Sequence, residues 1–89
     1  MKVDSGLMGD LAQAGASGKR LEAMGYDGAI TAETAHDPFF PLLLAAQETE
    51  RIELITSIAV AFSRTPMNLA NIGHDLNSFS KGRFVLGLG

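Results

Sequence analysis

Short strand-like runs alternate along this chain with longer segments in which apolar residues recur every three or four positions. The strand-like runs lie at residues 2–7, 28–31, 52–58 and 84–86, and the first places Val3, Ser5 and Leu7 on one face. The third run is nearly continuously apolar, which is typical of strands covered on both faces, as in a parallel sheet. The order strand, helix, strand, helix, strand, helix, strand therefore predicts an α/β fold built from parallel βαβ units with right-handed crossovers.

Capping residues set the limits of the three predicted helices. An aspartate or threonine before a helix accepts hydrogen bonds from its first amides, and proline suits the first helical position. A glycine after the last turn adopts the left-handed backbone that ends a helix. The predicted starts and ends are Asp10 and Gly25 for the first helix, Asp37 and about Thr49 for the second, and Thr65 and Lys81-Gly82 for the third.

The first and third predicted helices each carry one apolar face that we expect to be buried. Gly15 and Gly18 either weaken the first helix or let it pack close to a sheet. The residues at helical spacing are Leu11, Ala14, Gly18 and Leu21 in the first helix, and Leu69, Ile72, Leu76 and Phe79 in the third.

The length of the chain bears on how the sheet is closed. The chain has 89 residues, whereas an eight-stranded β/α barrel typically has about 250. We expect residues 1–89 to form one incomplete domain, because an open half-barrel exposes an apolar sheet face and unpaired edges. The sheet face and the edges would be covered by further chain, by association with copies of the chain itself, or by a different closed arrangement. The sequence does not decide between these three alternatives.

Composition and charge exclude several function classes. The formal net charge is −3 and the pI is near 5.1, whereas nucleic acid and anionic lipid call for a basic face. No cysteine is present, so a disulfide framework and a thiolate metal site are excluded. The apolar runs are far shorter than the roughly 20 residues that cross a bilayer. We expect a cytoplasmic protein without a metal, a membrane or a nucleic-acid partner.

Residues 32–37 follow the second strand, at the end where ligands bind in barrels and in open α/β sheets. Glu33 and His36 are candidate catalytic residues that contact a substrate or move a proton, since histidine titrates near neutrality. In the alternative, Asp37 only caps the next helix and His36 is a solvated loop residue.

Residues 57–64 follow the third strand and are apolar for a surface loop. They line either a flat, apolar cofactor ring or ordinary packing over the barrel mouth. Arg64 is a candidate partner for a phosphate or a carboxylate, and a solvated or helix-associated arginine is the alternative. Gly87-Leu88-Gly89 matches only the opening of a Gly-x-Gly-x-x-Gly loop.

Over essentially all of its length the chain resembles the N-terminal part of luciferase-like monooxygenases, particularly the oxidoreductases that use the deazaflavin coenzyme F-420. The most specific stretch is Gly82-Arg83-Phe84 followed by Leu86-Gly87-Leu88-Gly89, whereas Thr49-Glu50-Arg51-Ile52 is common across the superfamily. The stretches that carry the resemblance are residues 23–28, 31–39, 48–54, 56–66 and 80–89.

The resemblance implies the first part of an eight-stranded β/α (TIM) barrel that transfers hydride between a flavin or deazaflavin and a small organic substrate. In similar enzymes a non-proline cis peptide at the end of the third strand forms a bulge behind the central ring of the cofactor. Here that bond falls at Ser57-Ile58, with Ala59 beside it. Gly87, at the end of the fourth strand, is a further candidate cofactor contact.

The resemblance also leaves alternatives. Relatives often carry an acidic residue followed by histidine after the second strand, whereas this chain has Glu33-Thr34 and its histidine, His36, stands two positions later. The cofactor is coenzyme F-420 or, alternatively, flavin mononucleotide (FMN), as in an FMN-dependent monooxygenase. The chain is alternatively a non-catalytic truncated fragment that self-associates. We expect a homo-oligomer or further chain to complete the barrel.

Overall fold

Four parallel strands form one sheet in a computed structural model that describes residues 1–34 and 36–89. Ala35, in the stretch 31–39, lies outside the described residues. The order of the strands in the sheet is their order in the chain, which confirms the predicted α/β class and parallel pairing. The strands are β1 (Asp4–Gly6), β2 (Gly28–Thr31), β3 (Glu53–Ala59) and β4 (Phe84–Leu88).

Three α-helices connect the strands: α1 (Ala14–Ala23), α2 (Phe39–Glu48) and α3 (Pro66–Phe79). The first differs from its prediction, because a short 3-10 turn at Leu11–Gln13 precedes α1. Gly25 follows α1 with a φ of 90°, as predicted for the residue that ends it. Within the described part of the chain, no helix combines the length and the apolar character that a membrane span requires.

Side-chain caps begin α2 and α3 as the sequence predicts. Asp37 Oδ2 accepts hydrogen bonds from the amides of Phe39 and Phe40 at 2.7 and 2.8 Å. The hydroxyl oxygen of Thr65 accepts from the amide of Asn68 at 3.1 Å. Amides in the first turn of a helix have no acceptor within the helix, so these side chains satisfy them.

The main core lies between the sheet and the pair of helices α1 and α2. Ala29 in β2 and Leu54 in β3 are fully buried there and lie opposite each other in register. A Cβ atom at Gly18 would lie only 2.7 Å from the Cβ atom of Ala45. The expectation of a close approach to a sheet is therefore corrected: Gly18 brings α1 close to α2. The buried cluster comprises Leu21, Ala29, Leu42, Ala45, Ala46, Ile52 and Leu54.

Two residues of the predicted apolar faces are exposed instead. Leu11 is 48% exposed because it lies in the 3-10 turn rather than on the face of α1. Phe79 is 51% exposed because it is the last residue of α3. Val85 and Leu88 of β4 are also exposed, so apolar surface collects beside the free edge of β4.

Two charged side chains bind backbone groups of the connection between α2 and β3. The carboxylate of Glu22 accepts from three successive amides, those of Glu50, Arg51 and Ile52. The side chain of Arg83 donates to the carbonyl oxygens of Ala46, Thr49, Ile52 and Ser80 and to the hydroxyl of Thr49. Both lie at the amino ends of the strands, the end that in barrels serves stability rather than ligand binding.

Candidate functional site at the carboxyl ends of the strands

An irregularity interrupts β3 near its carboxyl end. The register between β3 and β4 shifts between Thr56 and Ala59, so β3 contains an extra residue there, which is a β-bulge. The peptide bond between Ser57 and Ile58 is cis, and this confirms the position implied by the resemblance. Ser57 and Ile58 are exposed, whereas Ala59 is fully buried. The bulge therefore presents Ser57 and Ile58 at the carboxyl end of β3.

Glu33, two residues after β2, binds the segment that follows the bulge. Its amide donates to the carbonyl oxygen of Ile58 at 3.1 Å. Its carboxylate accepts from the amide of Val60 at 2.6 Å and from both terminal nitrogens of Arg64, with 2.9 Å between Nη2 and Oε2. Only 19% of the Glu33 side chain is exposed. The ends of β2 and β3 are thus joined by two backbone contacts and a bidentate ion pair.

Arg64 is held by several groups besides Glu33. Its Nη1 donates to the carbonyl oxygen of Val60 at 2.9 Å. Its guanidinium carbon lies 5.0 Å from the ring centroid of Phe39, within cation–π range, and its Nη2 lies 3.5 Å from Asp37 Oδ1. The side chain is 12% exposed. Arg64 therefore pairs with carboxylates of the protein itself, and the alternative of a solvated arginine is wrong.

The ion pair sets the charge of both partners. The hydrogen bonds from the Arg64 guanidinium, followed by the one from the Val60 amide, lower the pKa of the Glu33 carboxyl. The same bonds with Glu33 raise the pKa of Arg64. Glu33 is therefore a carboxylate at neutral pH whose lone pairs point at protein donors, an arrangement that favours a fixed contact over proton transfer.

Gly87 lies against the bulge. Its amide donates to the hydroxyl oxygen of Thr56 at 2.9 Å, and that hydroxyl donates to the carbonyl oxygen of Gly87 at 3.0 Å. A Cβ atom at this position would overlap the carbonyl oxygen of Thr56. The absence of a side chain at Gly87 is thus required by contact with β3, and a contact with a cofactor stays a prediction.

His36 has different surroundings from Glu33. It is exposed and lines a cleft of about 790 Å³ between the carboxyl ends of β1 and β2 and the start of α2. Asp10 and Thr34 also line this cleft. Among the described residues, no group of histidine and acidic side chains is arranged to hold a metal ion. The catalytic roles of Glu33 and His36 stay predictions.

The pairing of Glu33 with Arg64 was absent from the sequence-based predictions, as were its contacts with Val60 and Phe39. A signal for it exists in the sequence, because an acidic residue follows one strand and a basic residue lies in the loop after the next. The carboxyl ends of neighbouring parallel strands meet at one edge of a sheet. Opposite charges in two such loops are therefore candidates for an ion pair.

Comparison with known proteins agrees with this geometry. Residues 2–89 match the family model of the luciferase-like monooxygenases. The chain belongs to this family. An uncharacterized protein of Mycobacterium tuberculosis is 55% identical over all 89 residues, which make up 26% of that relative. A second protein of the same organism, which carries the name of a coenzyme F-420-dependent oxidoreductase, is 38% identical over 69 residues, 76% of this chain and 20% of that protein.

Solved structures show the same arrangement of strands and helices over the whole of this luciferase-like chain. A coenzyme F-420-dependent tetrahydromethanopterin reductase from Methanopyrus kandleri matches with a TM-score of 0.85 and 23% identity, over 26% of its length. A monooxygenase from Streptomyces bottropensis matches with 0.84 and 26%, over 33%. The oxygenating constituent of 3,6-diketocamphane monooxygenase from Pseudomonas putida, in complex with FMN, matches with 0.88 and 21%, over 29%. The fold is that of the N-terminal part of a luciferase-like TIM barrel. The chain spans about a quarter of the length of the relatives that match it over all 89 residues.

Proposed function

We propose that the full-length protein is an oxidoreductase that binds coenzyme F-420 and transfers hydride between this cofactor and a small organic substrate. The observation that carries the proposal is the bulge that this member of the luciferase-like family presents at the carboxyl end of β3, where barrels bind their ligands. The relative that carries the name of a coenzyme F-420-dependent oxidoreductase supports this cofactor over FMN.

The surface at the bulge fits a flat and largely apolar ring. Ile58 is 46% exposed, and Ser57 beside it is exposed as well. The charges of Glu33 and Arg64 are paired with each other, so neither is left unpaired beside the ring. When it is bound, the deazaflavin supplies a ring carbon that accepts or releases hydride. In this proposal Ser57 and Ile58 contact the ring, and Ala59, which is fully buried, supports them from beneath.

The substrate in this proposal occupies the cleft at the carboxyl ends of β1 and β2, the second of which is the neighbour of β3 in the sheet. His36 is exposed on its wall, and histidine is the side chain best suited to donate or accept a proton near neutral pH. Gly87 lies at the other side of the bulge, next to Thr56, and borders the ring. His36 is thus the proposed proton donor or acceptor. Ser57, Ile58 and Gly87 form the proposed cofactor surface, with the buried Ala59 packed beneath it.

A titration tests the proposal. The full-length protein is titrated with oxidised coenzyme F-420 and, in parallel, with FMN, while absorbance and fluorescence of the cofactor are followed. Saturable binding of coenzyme F-420 supports the proposal. Binding of FMN alone assigns the protein to the FMN-dependent alternative, and binding of neither refutes both.

The exposed apolar residues of β4 concern the assembly of the full-length protein. Val85, Leu86 and Leu88 are 41%, 38% and 46% exposed, and soluble proteins usually cover such strand edges. We propose that further strands of one barrel cover them. Slow hydrogen exchange, in the full-length protein, of those β4 amides that point away from β3 supports this. Fast exchange contradicts it, and protection that is lost on dilution assigns the cover to a second copy instead.

A further inference from the structure

The backbone of Val60 is bound on both sides by one ion pair. The amide of Val60 donates to Glu33 Oε1 at 2.6 Å, and its carbonyl oxygen accepts from Arg64 Nη1 at 2.9 Å. Glu33 also holds the carbonyl oxygen of Ile58 through its own amide. The segment that continues from the bulge is therefore fixed by Glu33 from outside β3 and by Arg64 from its far end.

We propose that Glu33 and Arg64 are positioning residues. Their ion pair binds the amide and the carbonyl oxygen of Val60 and so holds the backbone of Ile58 and Ala59 in the position that receives the cofactor ring. The inference rests on the proposed function. It assigns Glu33 an action through the backbone, in place of the proton transfer that the sequence suggested.

The surroundings of Arg64 give the pair a single orientation. The guanidinium lies over the ring of Phe39, 5.0 Å from its centroid, and Asp37 approaches its Nη2 from the start of α2 at 3.5 Å. Because the planar guanidinium is contacted on its face by Phe39 and at its edge by Asp37, its two terminal nitrogens point in one direction. A bidentate ion pair then fixes the geometry of the contact as well as its charge. Displacements of about 1 Å in a binding site are enough to weaken function strongly.

Conservative substitutions at Glu33 and Arg64 disturb the hydrogen bonds of the ion pair with little change in the size of either side chain. Glu33→Gln retains an oxygen for the amide of Val60, but its NH₂ group meets the donors of Arg64. Arg64→Lys keeps the positive charge and loses the fork. We expect each to raise the dissociation constant of coenzyme F-420 about tenfold, and the double variant to raise it no further than the worse single one, since both act on one contact.

The test uses the full-length protein and three measurements: cofactor affinity, hydrogen exchange of residues 58–64, and kcat at saturating cofactor across pH. The matched control is Glu53→Gln, which removes a carboxylate from the surface pair with Lys2, whose nitrogen lies 3.1 Å away. The expected result is weaker cofactor binding and faster exchange at residues 58–64 in both variants, with the shape of the pH profile retained. The control should match the wild type in all three.

Two results overturn the inference. One is unchanged exchange at residues 58–64 in both variants. The other is the loss of one limb of the pH profile in Glu33→Gln but not in Arg64→Lys, which would make Glu33 a proton donor or acceptor. Asp37→Asn, which keeps a side-chain oxygen for the cap of α2 and removes the charge 3.5 Å from Arg64 Nη2, provides a milder variant if Arg64→Lys does not fold. We expect it to shift affinity and exchange in the same direction.

The exchange measurement needs no cofactor, so failure of the two proposals is distinguishable. A wild-type protein that binds neither cofactor refutes the proposed function, and exchange then shows independently whether Glu33 and Arg64 hold the segment. If the wild type binds coenzyme F-420 but exchange in the variants is unchanged, only the positioning role of Glu33 and Arg64 is refuted.

Discussion

Thr56 and Gly87 are joined by two hydrogen bonds that share a single hydroxyl. The amide of Gly87 donates to Thr56 Oγ1 at 2.9 Å, and the hydroxyl group of Thr56 donates to the carbonyl oxygen of Gly87 at 3.0 Å. They lie where the register of β3 and β4 shifts. Because a bulge interrupts the backbone ladder, the side chain of Thr56 supplies the partners that the ladder does not.

Replacing Thr56 tests whether this hydroxyl matters. Thr56→Val keeps the shape of the side chain and removes both bonds, so we expect the free energy of unfolding to fall by about 1–3 kcal/mol. Thr56→Ser keeps the hydroxyl and should lose less. Urea denaturation of the full-length protein measures both, and a valine variant as stable as the serine variant would contradict the assignment.

The residue type at position 87 is tested by a pair of glycine substitutions. Gly87→Ala places a methyl group onto the carbonyl oxygen of Thr56, so we expect a loss of about 1–3 kcal/mol in stability from overpacking. Gly73→Ala is the control, since its methyl group would lie 3.8 Å from the ring of Phe84 and alanine favours a helix by about 1 kcal/mol. Thermal unfolding should therefore shift in opposite directions for the two variants, and equal shifts would argue against the crowding at Gly87.

Arg83 is expected to be a stability residue rather than a site residue. Burial lowers the pKa of Arg83, and its donors satisfy carbonyl oxygens of α2, of the connection between α2 and β3, and of the turn before β4. Arg83→Ala should cost about 3 kcal/mol, because buried acceptors lose a charged donor. Arg83→Lys should recover only part, since lysine has no fork. Denaturant unfolding measures both, and an alanine variant as stable as the wild type would refute the role.

The carboxylate of Glu22 predicts a pH-dependent contribution to stability. Burial by itself raises the pKa of Glu22, but the amides of Arg51, Ile52 and Glu50 and the charge of Arg51 together bring it below 4.5. A carboxyl whose folded pKa is lowered stabilises the fold above its unfolded pKa, and this contribution is lost as pH falls through the folded value. We expect Glu22→Gln to be less stable than the wild type by about 1 kcal/mol at pH 7. Unfolding measured from pH 7 down to about pH 3 should show the gap closing below the unfolded pKa of about 4.3, and a constant gap would contradict this.

The role proposed for His36 is tested against the second histidine of the chain. His36→Gln should lower kcat about 100-fold, in the range for loss of a general acid or base, and leave the dissociation constant of coenzyme F-420 unchanged. His74→Gln, on the exposed surface of α3, is the matched control. Steady-state kinetics with saturating cofactor provide the comparison. Equal rates for His36→Gln and the control would remove His36 from the mechanism.

The sequence by itself determined the elements and their order. Apolar periodicity and capping residues act within a few positions of the chain, which is why the start of α2 at Asp37, the start of α3 at Thr65 and the left-handed Gly25 were all predictable. The position of the cis bond at Ser57-Ile58 came from the resemblance to a family rather than from any local pattern.

Tertiary structure alone decided which residues meet. Glu33 and Arg64 are 31 positions apart, as are Thr56 and Gly87. Local sequence patterns relate residues only a few positions apart, so they reveal neither contact. Gly18 lies against Ala45 because two helices pack side by side, a distance that depends on the whole core. The candidate site therefore follows from the register of parallel strands, which brings loops distant in the chain to one edge of the sheet.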